Sequence, residues 1–399
     1  MSFDVDQVRR DFPALSDGVA YFDSPGGSQV PRQVAEAVAR TMTAGLANRG
    51  TVTAAERRAE AVVVGARQAV ADLLRCDAGG VVFARSMTQV TYDVSRALAQ
   101  DWRAGDEVVV TRLDHDSNIR PWVQAAERAG ATVRWVAFDR ESGELSVDDV
   151  RAELSDRTRL VAFTAASNVL GTRPDVAAIA AAAHEAGALV YVDGVHLIPH
   201  APVDVAALGA DLLACSPYKF LGPHHGVLVA APELLEGLHP DKLVPSSDQV
   251  PERFELGTLP YELLAGTTAA VDYLAGLASD AGDRRTRVLE SMAAIERHEE
   301  TLFARLLDGL RSITGVQLYG DPARRTPTAY FTVAGRSNRE AAEQLAAAGV
   351  NAPASHFYAI EASRWLGLGD EGAVRAGLAP YTNADDVERL LAGVAEIAG

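Results

Sequence analysis

A chain of 399 residues with 48% hydrophobic and 23% charged residues has the composition of an ordinary globular protein and a length that suits two domains. Disorder, collagen-like repeats and coiled coil are excluded as its main architecture. A formal charge of −17 repels phosphate backbones, so no nucleic-acid partner is expected. Two cysteines, Cys76 and Cys215, do not make a disulfide framework and suit a reducing compartment. The charged N-terminal stretch lacks the apolar core of a signal peptide, and no apolar run reaches membrane-spanning length. A cytoplasmic protein with no membrane partner is therefore expected.

From about residue 80 to residue 230, short β-branched runs alternate with helical patterns. The runs cover 81–83, 107–111, 133–138, 160–163, 188–192, 212–215 and 227–229. They are nearly continuously apolar rather than alternating, which predicts strands buried on both faces of a mainly parallel seven-stranded sheet. Helices are predicted over 90–98, 118–129, 147–154 and 174–186, to cover both faces of an α/β fold. Residues 261–311 read as one long Leu/Ala-rich helix. A shorter strand-like set (316–319, 329–333 and 373–378) and helices at 338–348 and 385–398 follow, predicting a smaller C-terminal α+β domain. The expected organisation is an N-terminal segment (1–25) packing with the small domain, a large ligand-binding domain (26–262), a helical connector (263–311) and a small domain (312–399).

In such a sheet ligands bind beyond the carboxyl ends of the strands. The chain has only two lysines, Lys219 and Lys242, against 35 arginines. A lysine that survives such a bias is a candidate for work a guanidinium does not do, namely losing its proton and acting as an amine nucleophile. Lys242 lies in a polar loop. Lys219 follows a strand, 26 residues after Asp193, which itself ends the preceding strand. Asp193 by itself reads equally as a turn or cap aspartate. Together the amine and the carboxylate at adjacent strand ends match what pyridoxal 5'-phosphate requires: a Schiff-base partner and an anion on the pyridine nitrogen. Its phosphate needs an anion site, and Arg85-Ser86-Met87-Thr88-Gln89 opens a helix after the first strand, with Ser216 and Tyr218 flanking the lysine. His115 follows the second strand, where it would stack on a ring or shuttle a proton. Asn168 follows the fourth, where it would donate to a phenolic oxygen.

The segments LDHDSNIRPW, SNVLGT, VDGVH, SPYKFLGP, RFELGT and VRAGLAPYTNADDVERLL, in this order over most of the chain, resemble the cysteine desulfurase branch of the class V aminotransferases, fold-type I pyridoxal-phosphate enzymes. The resemblance implies that Lys219 carries the cofactor, Asp193 pairs with the pyridine nitrogen and His115 stacks on the ring. It places Asn168 and His196 near the phenolic oxygen, and Thr88, Ser216, Tyr218 and the backbone of Met87 at the phosphate. Thr258 would reach that phosphate from a second subunit, so a homodimer with a shared site is implied. Arg375 would bind the substrate carboxylate bidentately, with Arg49, His356 and Tyr358 around the substrate. Four positions depart from the family pattern. His196 stands for a glutamine, Tyr218 for a histidine and Met87 for a threonine, while Tyr358 stands where desulfurases carry the persulfide cysteine. A phenol does not accept sulfane sulfur as a thiolate does. Cys215, expected beside the cofactor, and Cys76 are both off that loop.

Two other patterns are set aside. Gly367 to Gly372 matches G-x-G-x-x-G but precedes a strand. Asp193, His196, His200, His224 and His225 do not form a continuous ligand face, because Pro199 interrupts the segment, and no metal is expected. The sequence thus points to an enzyme acting on a small α-amino acid, foremost by β-elimination across a C–S bond. Amino transfer or racemisation is the alternative from the same chemistry, and a catalytically degenerate binding protein is the alternative outside it.

Overall fold

The structure, a computed structural model, describes residues 3–399. Seven strands form one sheet: β1 (Val81–Ala84), β2 (Glu107–Thr111), β3 (Thr132–Val136), β4 (Thr158–Thr164), β5 (Leu189–Asp193), β6 (Leu212–Cys215) and β7 (Gly226–Ala230). Their spatial order is β1-β7-β6-β5-β4-β2-β3. Only the two pairings made by β7 are antiparallel. Successive residues face opposite layers, and here both layers are core. Val109, Val161 and Phe163 belong to one buried cluster, whereas Val108, Val110, Leu160 and Ala162 belong to the other. This is why the strands read as unbroken apolar runs.

The helices that matter for the site are α1 (Met87–Leu98), α2 (Arg120–Ala129), α3 (Val176–Glu185), α4 (Tyr261–Ala275) and α5 (Arg284–Ser312). Three expectations are corrected here. The helix read over 261–311 is two helices, α4 and α5. Gly276 closes α4, Gly282 takes a φ of +89°, and Asp283 starts α5 by accepting the Thr286 N–H at 2.8 Å. The helix read from 118 starts only at Arg120, behind a single turn at Asp116–Asn118, because Pro121 brings no N–H and belongs in a first helical turn. The run 133–138 leaves the sheet after Val136.

The C-terminal part holds a second, antiparallel sheet of β8 (Val316–Leu318), β9 (Thr328–Val333), β10 (Ala354–Ser355) and β11 (Ala373–Gly377), ordered β10-β11-β9-β8. The short β10 was not predicted. Nor was the parallel pairing of Ala20–Tyr21 with Val350–Asn351, which brings Ala20 and Phe22 into one core with Phe331, Val374 and Leu390. The chain leaves this core at Asp23, bridged to Gly377, and crosses the large sheet, where Ser28 N–H donates to the Tyr218 carbonyl at 3.1 Å. The turn at 23–27 therefore lies between β11 and the segment that carries Lys219. Among the described residues no helix is long and apolar enough to cross a membrane.

β7 reaches the start of α1 through a glycine. A Cβ on Gly226 would lie 2.2 Å from the Ser86 carbonyl carbon and 2.5 Å from the Met87 nitrogen. Gly226→Ala is expected to push that helix start away and cost about 1–3 kcal/mol, read as a lowered denaturant midpoint at unchanged slope.

Candidate active site

A cavity of about 710 Å³ opens beyond the carboxyl ends of the parallel strands and is closed on its far side by residues from β11 and the loop after β10. It gathers most of the residues singled out from the sequence. Ser86, Met87 and Thr88 come from the start of α1, His115 from the loop after β2, and Asn168 from the loop after β4. Asp193 and His196 follow from β5, and Ser216, Tyr218 and Lys219 from the turn after β6. His356, Tyr358 and Arg375 line the opposite wall.

Lys219 ends the turn Pro217–Lys219, and its Nζ donates to the Pro25 carbonyl. Burial, with the Arg375 guanidinium second, pushes its amine down to about 7, against the pull of Asp23 and Asp193. Asp193 is the last residue of β5, and its Oδ1 accepts the Val195 N–H at 2.9 Å. Burial raises its carboxyl to about 6, while the Val195 N–H and Lys219 hold it down. A buried carboxylate with one backbone donor is short of partners and suits a positively charged or N–H group placed in the cavity.

At the start of α1 the Ser86 hydroxyl is spent on capping, accepting the Gln89 N–H at 3.1 Å. The N–H groups of Met87 and Thr88 have no acceptor within the helix and lie at the cavity with the hydroxyls of Thr88, Ser216 and Tyr218. The Met87 side chain points into the core against Thr91 and Ser117.

The motif around His115 is a buried polar frame. Asp114 accepts from Thr111 and, at 2.7 Å, from Asn118, which in turn accepts the Trp122 indole N–H at 3.1 Å. The frame fixes the loop that presents His115. The Ser117 N–H donates to His115 Nδ1 at 3.1 Å, which leaves the ring proton on Nε2. Burial, followed by Lys219 and Arg375, lowers this imidazole to about 3, so it is neutral. His196 is held neutral in the same way and bonds Thr328 Oγ1 through Nε2 at 2.9 Å.

Arg375 is fully buried. Its Nη2 meets Asp23 Oδ1 at 2.5 Å, and its Nη1 donates to the Asn168 carbonyl at 3.1 Å. The Phe357 ring covers one face at 3.6 Å, while Nε is buried without an acceptor. Asn168 uses its amide N–H on the Phe357 carbonyl at 3.0 Å and leaves its Oδ1 buried without a donor. Phe357 and Tyr358 both have left-handed backbone, with φ of 49° and 59°. The Tyr358 ring lies on His115 at 5.4 Å, with its planes 26° apart.

Arg49 and Thr258 do not line this cavity. Arg49 is half-buried between Glu60 and Glu252, at 2.8 and 2.9 Å, and Thr258 is exposed. Cys215, expected beside the cofactor, faces the core behind β6 and is not among the lining residues. The other residues weighed have ordinary partners: Lys242 pairs with Asp248 at 3.0 Å, His200 with Glu299 at 2.8 Å and His225 with Thr267 at 2.6 Å, while His224 stacks on Tyr218. The sequence reading missed Asp23 and Pro25. Asp23 carried a signal, since an aspartate closing the run Ala20–Phe22 and followed by Pro25-Gly26-Gly27 ends a strand in a tight turn.

Three comparisons bear on this geometry. The family model for aminotransferase class V matches residues 20–390. Among curated proteins, an uncharacterized protein of Mycobacterium tuberculosis is 34% identical, with all of both chains covered. A cysteine desulfurase of Klebsiella pneumoniae is also 34% identical, covering 100% of this chain and 99% of that one. Among solved structures, the cysteine desulfurase CsdA from Escherichia coli superposes with a TM-score of 0.87 at 28% identity, covering 99% of this chain and 98% of that one.

A buried amine near 7 has a testable signature. Labelling of Lys219 in the cofactor-free protein by formaldehyde and a hydride donor, followed by peptide mass, is expected to reach half its maximum near pH 7 and to level off about one unit above. A rise that continues past pH 9 would contradict the assignment.

Proposed function

Because the chain belongs to the class V aminotransferase family, we propose that it is a pyridoxal-phosphate enzyme that cleaves the C–S bond of cysteine or an S-substituted cysteine by β-elimination. The donor set fits that cofactor. A buried amine is pushed down to about 7, and a buried carboxylate lacks a second donor. Backbone N–H groups with three hydroxyls form an anion site. Lys219 would hold the cofactor covalently, Asp193 would keep the pyridine nitrogen protonated, and His115 would lie against the ring. Asn168 and His196 would face the phenolic oxygen, and Met87, Thr88, Ser216 and Tyr218 the phosphate. When bound, pyridoxal phosphate takes up the electron pair left at the substrate Cα.

The chain's own groups supply the rest. The Arg375 guanidinium, with its free Nε edge, binds the substrate carboxylate and fixes which Cα bond faces the base. Lys219 Nζ, pushed down to about 7 and so able to give up and take a proton near neutral pH, removes the Cα proton. With the proton gone the Cβ–S bond breaks, and the net reaction is RS–CH₂–CH(NH₃⁺)–COO⁻ + H₂O → RSH + pyruvate + NH₄⁺. The observation that carries lyase chemistry over a sulfur relay is the state of the thiols. Tyr358 fills the loop, Cys76 is pushed up to about 12 by burial, and Cys215 is raised further, so neither is a thiolate that accepts sulfur.

We place Thr258 and Arg49 at the cavity of a second subunit in a homodimer. Both lie outside their own cavity, beside the exposed apolar side chains of Leu256 and Val52. The division at residues 25, 262 and 311 is retained as the proposed domain organisation. Both cysteines are free, which supports a cytoplasmic setting.

Purified enzyme given cysteine, cystine or S-alkyl cysteines is expected to release pyruvate and ammonium in equal amounts, with no sulfane sulfur left on the protein. Lys219→Ala should lose the cofactor's visible band and lower turnover by about 10²–10⁴-fold. Build-up of pyridoxamine phosphate with a keto acid would instead mean amino transfer.

A further inference from the structure

We propose that Asp23 is a specificity-determining residue: its carboxylate occupies the guanidinium of Arg375 in the free enzyme, and a ligand carboxylate must contend with it. The inference rests on the reading of Arg375 as the substrate-carboxylate site. A guanidinium buried to 1% exposure requires an anion whenever no ligand is bound. Asp23 Oδ1 is that anion, at 2.5 Å from Nη2. The two partners differ in their access to water, the Arg375 side chain being 2% exposed and that of Asp23 32%. Asp23 is therefore the member of the pair that water can take back.

The turn is cut to seat the carboxylate. A Cβ on Gly26 would fall 2.4 Å from Asp23 Oδ2, so only glycine leaves the space. The other approaches to the guanidinium are used, since Asn168 holds Nη1 and Phe357 covers a face. What stays unpaired is the buried Nε, next to the Nη2 that Asp23 already holds, on a side chain that lines the cavity. A ligand carboxylate arriving there either crowds a like charge or replaces it. Exchanging one carboxylate for another on the same guanidinium gains little. Net affinity must then come from the rest of the ligand, foremost the amine that engages the lysine side of the cavity. Asp23 in this way rejects simple carboxylates and admits α-amino acids.

The probe is propionate, a three-carbon carboxylate without an amine, titrated into the holoenzyme and followed both by the cofactor's absorbance and by competition with the amino-acid substrate. Asp23→Asn is expected to bind propionate about tenfold more tightly than the natural protein. Asp23→Glu, which restores the charge, should bind it no more tightly than the natural protein. A residue that merely held Arg375 in place would do the opposite, since its loss would weaken carboxylate binding. Equal or weaker propionate binding in Asp23→Asn overturns the proposal. Should that variant fold poorly, Asp23→Ser carries the same expectation and the same overturning result. The cofactor's visible band in the natural protein separates the two readings: if it is absent, the assignment of the site has failed, whereas a normal band without the gain in propionate affinity refutes only the role of Asp23.

Discussion

Two basic groups, the Lys219 amine and the Arg375 guanidinium, are buried in one cavity, and much of the surrounding structure answers the cost of keeping charge out of water. The two are met differently. The amine sheds its charge, driven down to about 7 by burial and by its neighbour. The guanidinium does not deprotonate and is matched instead by Asp23, the Asn168 carbonyl and the Phe357 ring. One turn, residues 23–27, serves both, with Asp23 on the guanidinium and the Pro25 carbonyl on the amine. This explains why Ala20–Tyr21 pairs far away with Val350–Asn351 and Asp23 bridges to Gly377. That pairing delivers the turn to the cavity mouth from the other side of the molecule.

The large sheet was legible because its physics is local. A strand covered on both faces has to be apolar through its middle, and residues 108–110 of β2, 160–163 of β4 and 190–192 of β5 are. The strand-end residues were legible for the same reason: Asp193 and Ser216 stand at the first positions where the apolar run stops, and Lys219 follows three residues after Ser216. The break between α4 and α5 was hidden, since a Leu/Ala-rich composition persists across it and the interrupting signal is two glycines and a cap. The role of Asp23 was hidden for a deeper reason. It meets Arg375, which is more than 300 residues away in the chain, and no periodicity records a contact of that separation.

The departures from the desulfurase pattern form a coherent set. His196 occupies a glutamine's place, yet burial keeps it neutral, so it still offers hydrogen bonding rather than charge. Met87 replaces a hydroxyl but turns its side chain inward, so its backbone is all that reaches the cavity. Tyr358 is different in kind. It puts a phenol where a desulfurase carries the thiol and leaves an aromatic ring lying on His115, while Lys219 keeps its place in the cavity. Under the proposed function the site keeps bond cleavage and lacks the acceptor.

The loop after β10 places two consecutive side-chain-bearing residues, Phe357 and Tyr358, in a backbone region that L-residues avoid. It is fastened by bonds from Asn168 and Asp116 to their carbonyls. Part of what those fastenings provide is consumed in holding the twist, so releasing the loop relaxes the backbone as it breaks the contacts. The cover over the guanidinium is thus held by less than its contacts alone suggest, because a backbone cost of about 1–3 kcal/mol per residue stands against them.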